Sequence, residues 1–197
     1  MPPQHHPSEL SPAVRLLREF LNTREMAAGT DQLSSAEGLS AWLASVQGSA
    51  ADLEWVPGDR EWVVAVREAL RDVLSGHNGA AVPPASIALL NRAAGRAPLV
   101  ARWDGAGNVT VAAAGGGVAA AVGRIWAAVV AAQAEGTWPR LKACRRGDCR
   151  WIFLDQSKNH SAAWCTTAGC GALMKARAYR RRRAGAGPPA DRTSAPP

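Results

Sequence analysis

Cys144-Arg145-Arg146-Gly147-Asp148-Cys149 and Cys165-Thr166-Thr167-Ala168-Gly169-Cys170 repeat one spacing: two cysteines with four residues between them, the pairs separated by fifteen residues. Each pair can wrap its loop so that both sulfurs face one ion, and the insert is long enough to turn back and complete a tetrahedron. The reading is one structural Zn2+ held by Cys144, Cys149, Cys165 and Cys170. Two disulfides, or four unrelated core cysteines, are the alternative; clustering within 27 residues and a reducing location weigh against it. Four thiolates close the coordination sphere, so a catalytic metal with an open position is not expected. His160, inside the insert, is a further candidate donor. Trp151, Phe153 and Trp164 flank the pairs and are expected to build the small core around the ion, with base stacking as the alternative role for one of them.

Downstream, Gly171 to Arg183 suits a helix. Lys175, Arg177, Arg180, Arg181, Arg182 and Arg183 place six cations in nine residues, and Leu173 and Ala176 are expected to join the helix to the zinc core. A charge run is usually a solvated face, but six like charges repel one another unless a polyanion neutralises them, and arginine forks match phosphate oxygens. These six residues are therefore the expected nucleic-acid contacts. Residues 184–197, with Gly185, Gly187, Pro188 and Pro189 close together, are expected to be disordered.

Upstream the composition changes. Residues 1–139 carry 10 basic and 13 acidic side chains, a net of −3, whereas residues 140–183 carry 12 basic and 2 acidic, a net of +10. An acidic body thus carries a basic, polyanion-seeking end. With 47% hydrophobic and 20% charged residues and eight tryptophans among 197 residues, the chain can build a core. The expected division is a flexible lead at 1–10, a helical domain at 11–138, and a zinc module at 139–183.

Helix signals fill the body. Ser11 reads as an N-cap with Pro12 at the first helical position, and Val14, Leu17, Phe20 and Leu21 share a face. Ser34 and Glu37 have capping-box spacing before Leu39, Trp42, Leu43 and Val46. Arg60 to Leu74 carries Val63, Val66, Leu70, Val73 and Leu74 at helical intervals among charged residues. Pro83-Pro84 opens a helix with Ile87, Leu89 and Leu90, closed by Gly95. Leu99–Trp103 and Val109–Val111, around Asp104-Gly105-Ala106-Gly107-Asn108, predict a β-hairpin. Gly115-Gly116-Gly117 is a loop before a helix bearing Val118, Val122, Ile125, Trp126, Val129 and Val130; no Lys-Ser/Thr follows, so it is not a phosphate loop. The fold class is mainly α, with a short hairpin and a four-cysteine module ending in a basic helix. Val118–Ala134 is interrupted by Arg124 and predicts no membrane span; residues 1–10 lack a secretory pattern, and the expected location is the cytoplasm.

Leu141-Lys142-Ala143-Cys144, Cys149-Arg150-Trp151-Ile152-Phe153-Leu154-Asp155, Ser157-Lys158-Asn159, Trp164-Cys165, and Cys170-Gly171 with Lys175-Ala176-Arg177 and Tyr179 resemble the bacterial CGNR zinc finger family, whose members join this module to an N-terminal ABATE-type domain. Phe20-Leu21-Asn22-Thr23-Arg24, Trp42-Leu43 and the Val66–Leu74 helix carry the resemblance upstream. It implies a stress-responsive transcription regulator. The chain departs from the family where Cys170-Gly171-Ala172-Leu173 replaces Cys-Gly-Asn-Arg, and where Ala162-Ala163 stand in place of basic residues; the ligand positions remain.

The function expected is a zinc-dependent, DNA-binding transcription regulator with a ligand-sensing N-terminal domain, in which Asn22 and Arg24 line a ligand pocket or else cap the first helix. The alternative is an RNA-associated or protein-bridging zinc module. An enzyme is not expected: the body has no Ser-His-Asp arrangement or metal-ligand helix motif, and His77 lies in a Gly-rich loop with no evident partner. A homodimer is expected on the pattern of regulators that bind paired half-sites.

Overall fold

The computed structural model describes residues 10–47 and 55–185; of the expected lead at 1–10 all but Leu10, and of the expected tail at 184–197 residues 186–197, lie outside them. Helices dominate, in the order α1 (Pro12–Leu21), α2 (Ala36–Gln47), α3 (Asp59–Gly76), α4 (Pro84–Arg96), α5 (Gly117–Ala134) and α6 (Ala172–Gly185). Among the described residues, three separate antiparallel ribbons punctuate them: β1–β2 (Arg24–Glu25 and Thr30–Asp31), β3–β4 (Leu99–Trp103 and Val109–Ala113) and β5–β6 (Leu141–Ala143 and Ile152–Leu154). The mainly helical class with a four-cysteine module and a following helix is what the sequence predicts.

Local chemistry accounts for the element ends. The Ser11 hydroxyl accepts the Val14 amide, with Pro12 at the start of α1, as predicted. The α2 cap falls one residue later than predicted: Ser35 Oγ, not Ser34, accepts from the Gly38 amide at 3.1 Å, while the Ser34 hydroxyl donates to the Asp31 carbonyl at 2.7 Å. Gly95 does not close α4. The helix runs through it to Arg96, because one glycine in a helix costs only about 1 kcal/mol. The stripe on α4 also differs, since Ser86 and Ala93 are buried whereas Ile87 is exposed. The predicted hairpin forms, with Leu99 opposite Ala113 and Trp103 opposite Val109.

One continuous core holds helices α1 to α5 and the β5–β6 ribbon. Val14, Leu17, Phe20 and Leu21 of α1 are buried with Leu39 and Leu43 of α2, Val63, Val66, Leu70 and Leu74 of α3, and Val118, Val122 and Ile125 of α5. Burying each large aliphatic side chain contributes about 1.5–3 kcal/mol. α5 spans 18 residues with a mean hydropathy of 1.4, enough by length and composition to cross a membrane despite Arg124, and 44% of that span is buried inside the protein. Gly123 lets α5 approach the hairpin, since a Cβ there would lie 2.7 Å from that of Ala113.

Among the described residues, two arginines are the largest fully buried side chains. Arg67 and Arg71 of α3 interrupt the apolar face that the sequence assigns to valine and leucine. Arg67 grips Asp31 through two hydrogen bonds of 2.6 Å, donates to Thr23 Oγ1 at 2.9 Å, and reaches Glu68 at 3.0 Å. The short β1–β2 ribbon delivers Asp31 to that position, with Arg24 opposite it in the register. Burial raises the Asp31 carboxyl, but the hydrogen bonds from Arg67 and the Leu33 amide outweigh it and hold the group below its ordinary value.

Replacing Asp31 with Ala removes two of the acceptors of a buried charge, and the unfolding free energy should fall by about 3 kcal/mol in urea denaturation. A loss below about 1 kcal/mol, the scale of an exposed pair, would refute the buried role.

Candidate metal centre

The chain enters the module through β5, turns over Cys144–Cys149, and returns through β6. Leu141 pairs with Leu154 and Ala143 with Ile152, which brings the start of the insert back beside the first cysteine. The insert is then folded by Asp155. Its carboxylate accepts from Lys142 Nζ at 2.6 Å, the Ser157 amide and hydroxyl at 2.9 and 2.6 Å, and the Ala162 amide at 3.0 Å. Lys142 also donates to the His160 carbonyl at 2.6 Å. Burial works against ionisation of Asp155, yet Lys142 and Ser157 hold its carboxyl at about 2. The pair is buried on both sides and ties the two ends of the insert together, so that Trp164 and Cys165 arrive opposite the first pair.

The four sulfurs all lie within 4.8 Å of one another. Cys149 Sγ is 3.8 Å from Cys165 Sγ, which is 3.6 Å from Cys170 Sγ. A zinc–thiolate tetrahedron with bonds of about 2.3 Å has edges of about 3.8 Å, whereas a disulfide needs sulfurs about 2.05 Å apart; all four thiols are free. Burial pushes the Cys149 thiol up to about 11 and raises Cys165 as well. Burial also acts upward on Cys170, but hydrogen bonds from the neighbouring thiols and the charge of Arg146 bring it below its ordinary value. Bare thiolates are thus disfavoured together, and a divalent cation is the charge that would let them coexist. The donor set fits such an ion. His160 stands outside the cluster, its backbone in the left-handed region at φ 50°.

Phe153 is buried against Cys144, Cys149 and Cys170, with Trp151 and Trp164 partly buried beside them. A π-helical turn, Thr167–Gly171, carries Cys170 into α6. Gly171 packs closely there, since a Cβ would stand 3.3 Å from the Trp164 ring and 3.4 Å from the Thr166 carbonyl, so a larger residue would press on the Trp164 ring. Leu173, Met174 and Ala178 of α6 are partly buried, but Ala176, expected to touch the core, is exposed. Ala172 is exposed as well, so the position where the family carries Asn opens to solvent. α6 continues two residues beyond the predicted end at Arg183. Lys175, Arg177 and Arg180 to Arg183 are all exposed. Arg177 lies 3.7 Å from Asp148 on the first cysteine loop, and Asp148 also accepts from Arg146 at 2.6 Å.

The module is fastened to the helical body at several points that the sequence does not announce. Asn22 clamps the β6 backbone, donating to the Ile152 carbonyl at 3.0 Å and accepting its amide at 2.8 Å. Arg71 donates to the Leu21 carbonyl at the end of α1, to the Arg150 carbonyl at 2.9 Å, and to Glu68 at 3.0 Å. Arg150 is left-handed at φ 46°, a conformation that costs a non-glycine residue about 1 kcal/mol or more. Its guanidinium binds Asp72 at 2.7 Å and Ser75 at 3.2 Å. Asn78 donates to the Ala143 and Ala163 carbonyls at 2.8 and 3.0 Å. His77, without an evident partner in the sequence, meets the Leu141 carbonyl at 2.9 Å and the edge of Trp138 at 5.2 Å between ring centroids. Arg24 lies 3.8 Å from Glu68.

A depressed carboxyl contributes stability that is fully present above its unfolded value near 4 and is lost as pH falls through its folded value of about 2. The difference in unfolding free energy between the native protein and Asp155→Asn should therefore be constant above about pH 4 and shrink by about 2 kcal/mol towards pH 2. Thiolate protonation is common to both proteins and cancels in the difference; a gap independent of pH would contradict the Lys142–Asp155 assignment.

Comparison with known families agrees with this geometry. No curated protein gives a significant match. Residues 140–183 match the CGNR zinc finger. Residues 15–138 match the family called ABATE and described as "Putative stress-induced transcription regulator". With most of its length covered by that second match and the four-cysteine cluster in the first, the chain belongs to the ABATE family and carries a CGNR zinc finger.

Proposed function

We propose that this protein is a zinc-dependent, DNA-binding transcription regulator of the cytoplasm, in which an ABATE body (11–138) senses a small molecule and a zinc module (139–183) presents α6 to DNA. Cys144, Cys149, Cys165 and Cys170 hold one Zn2+, whose part is structural: its binding free energy orders a segment too small to fold alone, on the order of 10–16 kcal/mol in zinc-finger peptides. The reading gives the chain no catalytic step.

The observation that carries the reading is the surface of α6. Lys175, Arg177, Arg180, Arg181, Arg182 and Arg183 are exposed on a helix launched directly from the cysteine cluster. Among the described residues, only Arg177 of the six has a carboxylate within ion-pair distance. At about 100° per residue these cations point to all sides of the helix. A single flat acidic surface would meet only some of them, whereas a DNA groove offers phosphates on both walls. The body, at −3, would be repelled by the same phosphates, and this orients the molecule with its basic end inward.

Two measurements test the reading. Native mass spectrometry should find one zinc per chain, lost in Cys149→Ser and Cys165→Ser. Binding to random duplex DNA should weaken with salt, and replacing Arg180 to Arg183 with alanine should reduce the slope of log affinity against log salt by about 0.9 for each phosphate contact removed. Equal slopes for both proteins, or tighter binding to RNA or to an acidic protein at matched salt, would displace DNA as the partner.

A further inference from the structure

A hollow of about 640 Å³ lies where α1 meets the zinc module. Its size falls in the range of small-molecule sites, about 300–1,000 Å³. Arg15 and Arg18 of α1 line one side, Trp151 of the module lines another, and Leu10, Glu19 and Gln32 complete the walls. Asn22 also borders it, but its amide is held at both ends by Ile152, so it forms wall and weld together.

Three features define what the hollow takes. The Arg18 Nε is buried and has no hydrogen-bond partner. Among the described residues, no carboxylate lies within ion-pair distance of Arg15 or Arg18, in contrast to Arg67, Arg71 and Arg150, whose guanidinium groups are all engaged. Arg18 as a whole is half-buried, so its guanidinium is partly desolvated and without a counter-charge, which favours an anionic ligand. Glu19 on the same helix leaves the walls with one net positive charge, which suits a monoanion and disfavours a phosphate polyanion. Trp151 and Leu10 supply an apolar side where a flat ring can lie.

We propose that this hollow binds a planar aromatic monocarboxylate, its carboxylate on Arg18 and Arg15 and its ring against Trp151. The inference rests on the ligand-sensing half of the function proposed above and is independent of the DNA half. The position suits a sensor. The Trp151 carbonyl accepts the Cys144 amide at 2.9 Å, and Asn22, also in the wall, holds Ile152, so a ligand there touches residues of both body and module.

The test is calorimetric titration of the full-length, zinc-loaded protein with indole-3-carboxylate, without DNA. Saturable 1:1 binding is expected, weakened at least about tenfold for indole-3-carboxamide, which keeps the ring and lacks the charge, and for cyclohexanecarboxylate, which keeps the charge and lacks the flat ring. Arg18→Gln and Trp151→Leu should each lose about tenfold or more. Because both residues are partly buried and could disturb folding, Arg15→Gln at an exposed position provides an independent variant with the same expected direction, and Arg124→Gln, outside the hollow, should bind as the native protein does. No saturation by indole-3-carboxylate below about 1 mM, or native affinity retained in both Arg15→Gln and Arg18→Gln, would overturn the proposal. Binding that leaves DNA affinity unchanged would support the hollow while removing the sensing half of the function; failure of DNA binding itself would leave the titration to decide the hollow alone.

Discussion

The guanidinium of Arg71 is fully buried and divides its donors among the Leu21 carbonyl, the Arg150 carbonyl and the Glu68 carboxylate. Leu21 ends the first helix of the body, and Arg150 follows the second zinc-module cysteine. One charge therefore ties the last turn of α1 to the cysteine loop. Burial lowers its affinity for the proton, and Glu68 acts in the opposite direction; the two backbone carbonyls complete its solvation where water is absent. Around it, Asn22, Asn78, His77 and Arg150 add further ties, and Leu141, Ala143 and Ile152 of the module's strands sit in the same apolar core as the body's helices. An ion that orders the cysteine cluster thereby also orders carbonyls on which the body's arginines depend.

Electrostatics divides the molecule differently from packing. The core joins body and module, but charge separates them, with an acidic body and a strongly basic end. The Lys142–Asp155 pair sits at the boundary of these two regimes. It is buried, it folds the insert, and it leaves Asp148, which meets Arg146 and Arg177, as the module's one remaining carboxylate. α6 is left with its charge exposed. The family's Asn and Arg after Cys170-Gly171 are replaced by Ala172, which is exposed, and Leu173, which is partly buried; this chain has kept the launch of the helix while changing the chemistry of its first turn.

Features that depend on local spacing were legible in the sequence. The cysteine pairs, the Ser11–Pro12 helix start, the hairpin around Asp104–Asn108 and the basic run all declare themselves within a few residues. Features set by distant partners were not. Arg67 and Arg71 count in the sequence only among the charged residues between the apolar positions of α3, because nothing near them shows that Asp31 and the Leu21 and Arg150 carbonyls will meet them. Their positions four residues apart, next to Val66 and Leu70, were the only local hint. Asn22 was singled out as a ligand or capping residue, and its hydrogen bonds to a strand 130 positions away lie beyond any periodicity argument. His77 gained its partner in the same way. The cap at Ser35 shows a smaller limit: adjacent serines offer equal chemistry, and the choice falls to the turn that begins at Asp31.

The coupling between the metal cluster and the body is tested most directly by amide hydrogen exchange before and after zinc is removed with a chelator. If Arg71 and Asn22 join the two as one unit, chelation should speed exchange about tenfold or more not only in residues 140–185 but also at the end of α1 near Leu21 and in the second half of α3. Faster exchange confined to residues 140–185, with α1 and α3 as protected as before, would show the module to be an independent appendage and contradict the account.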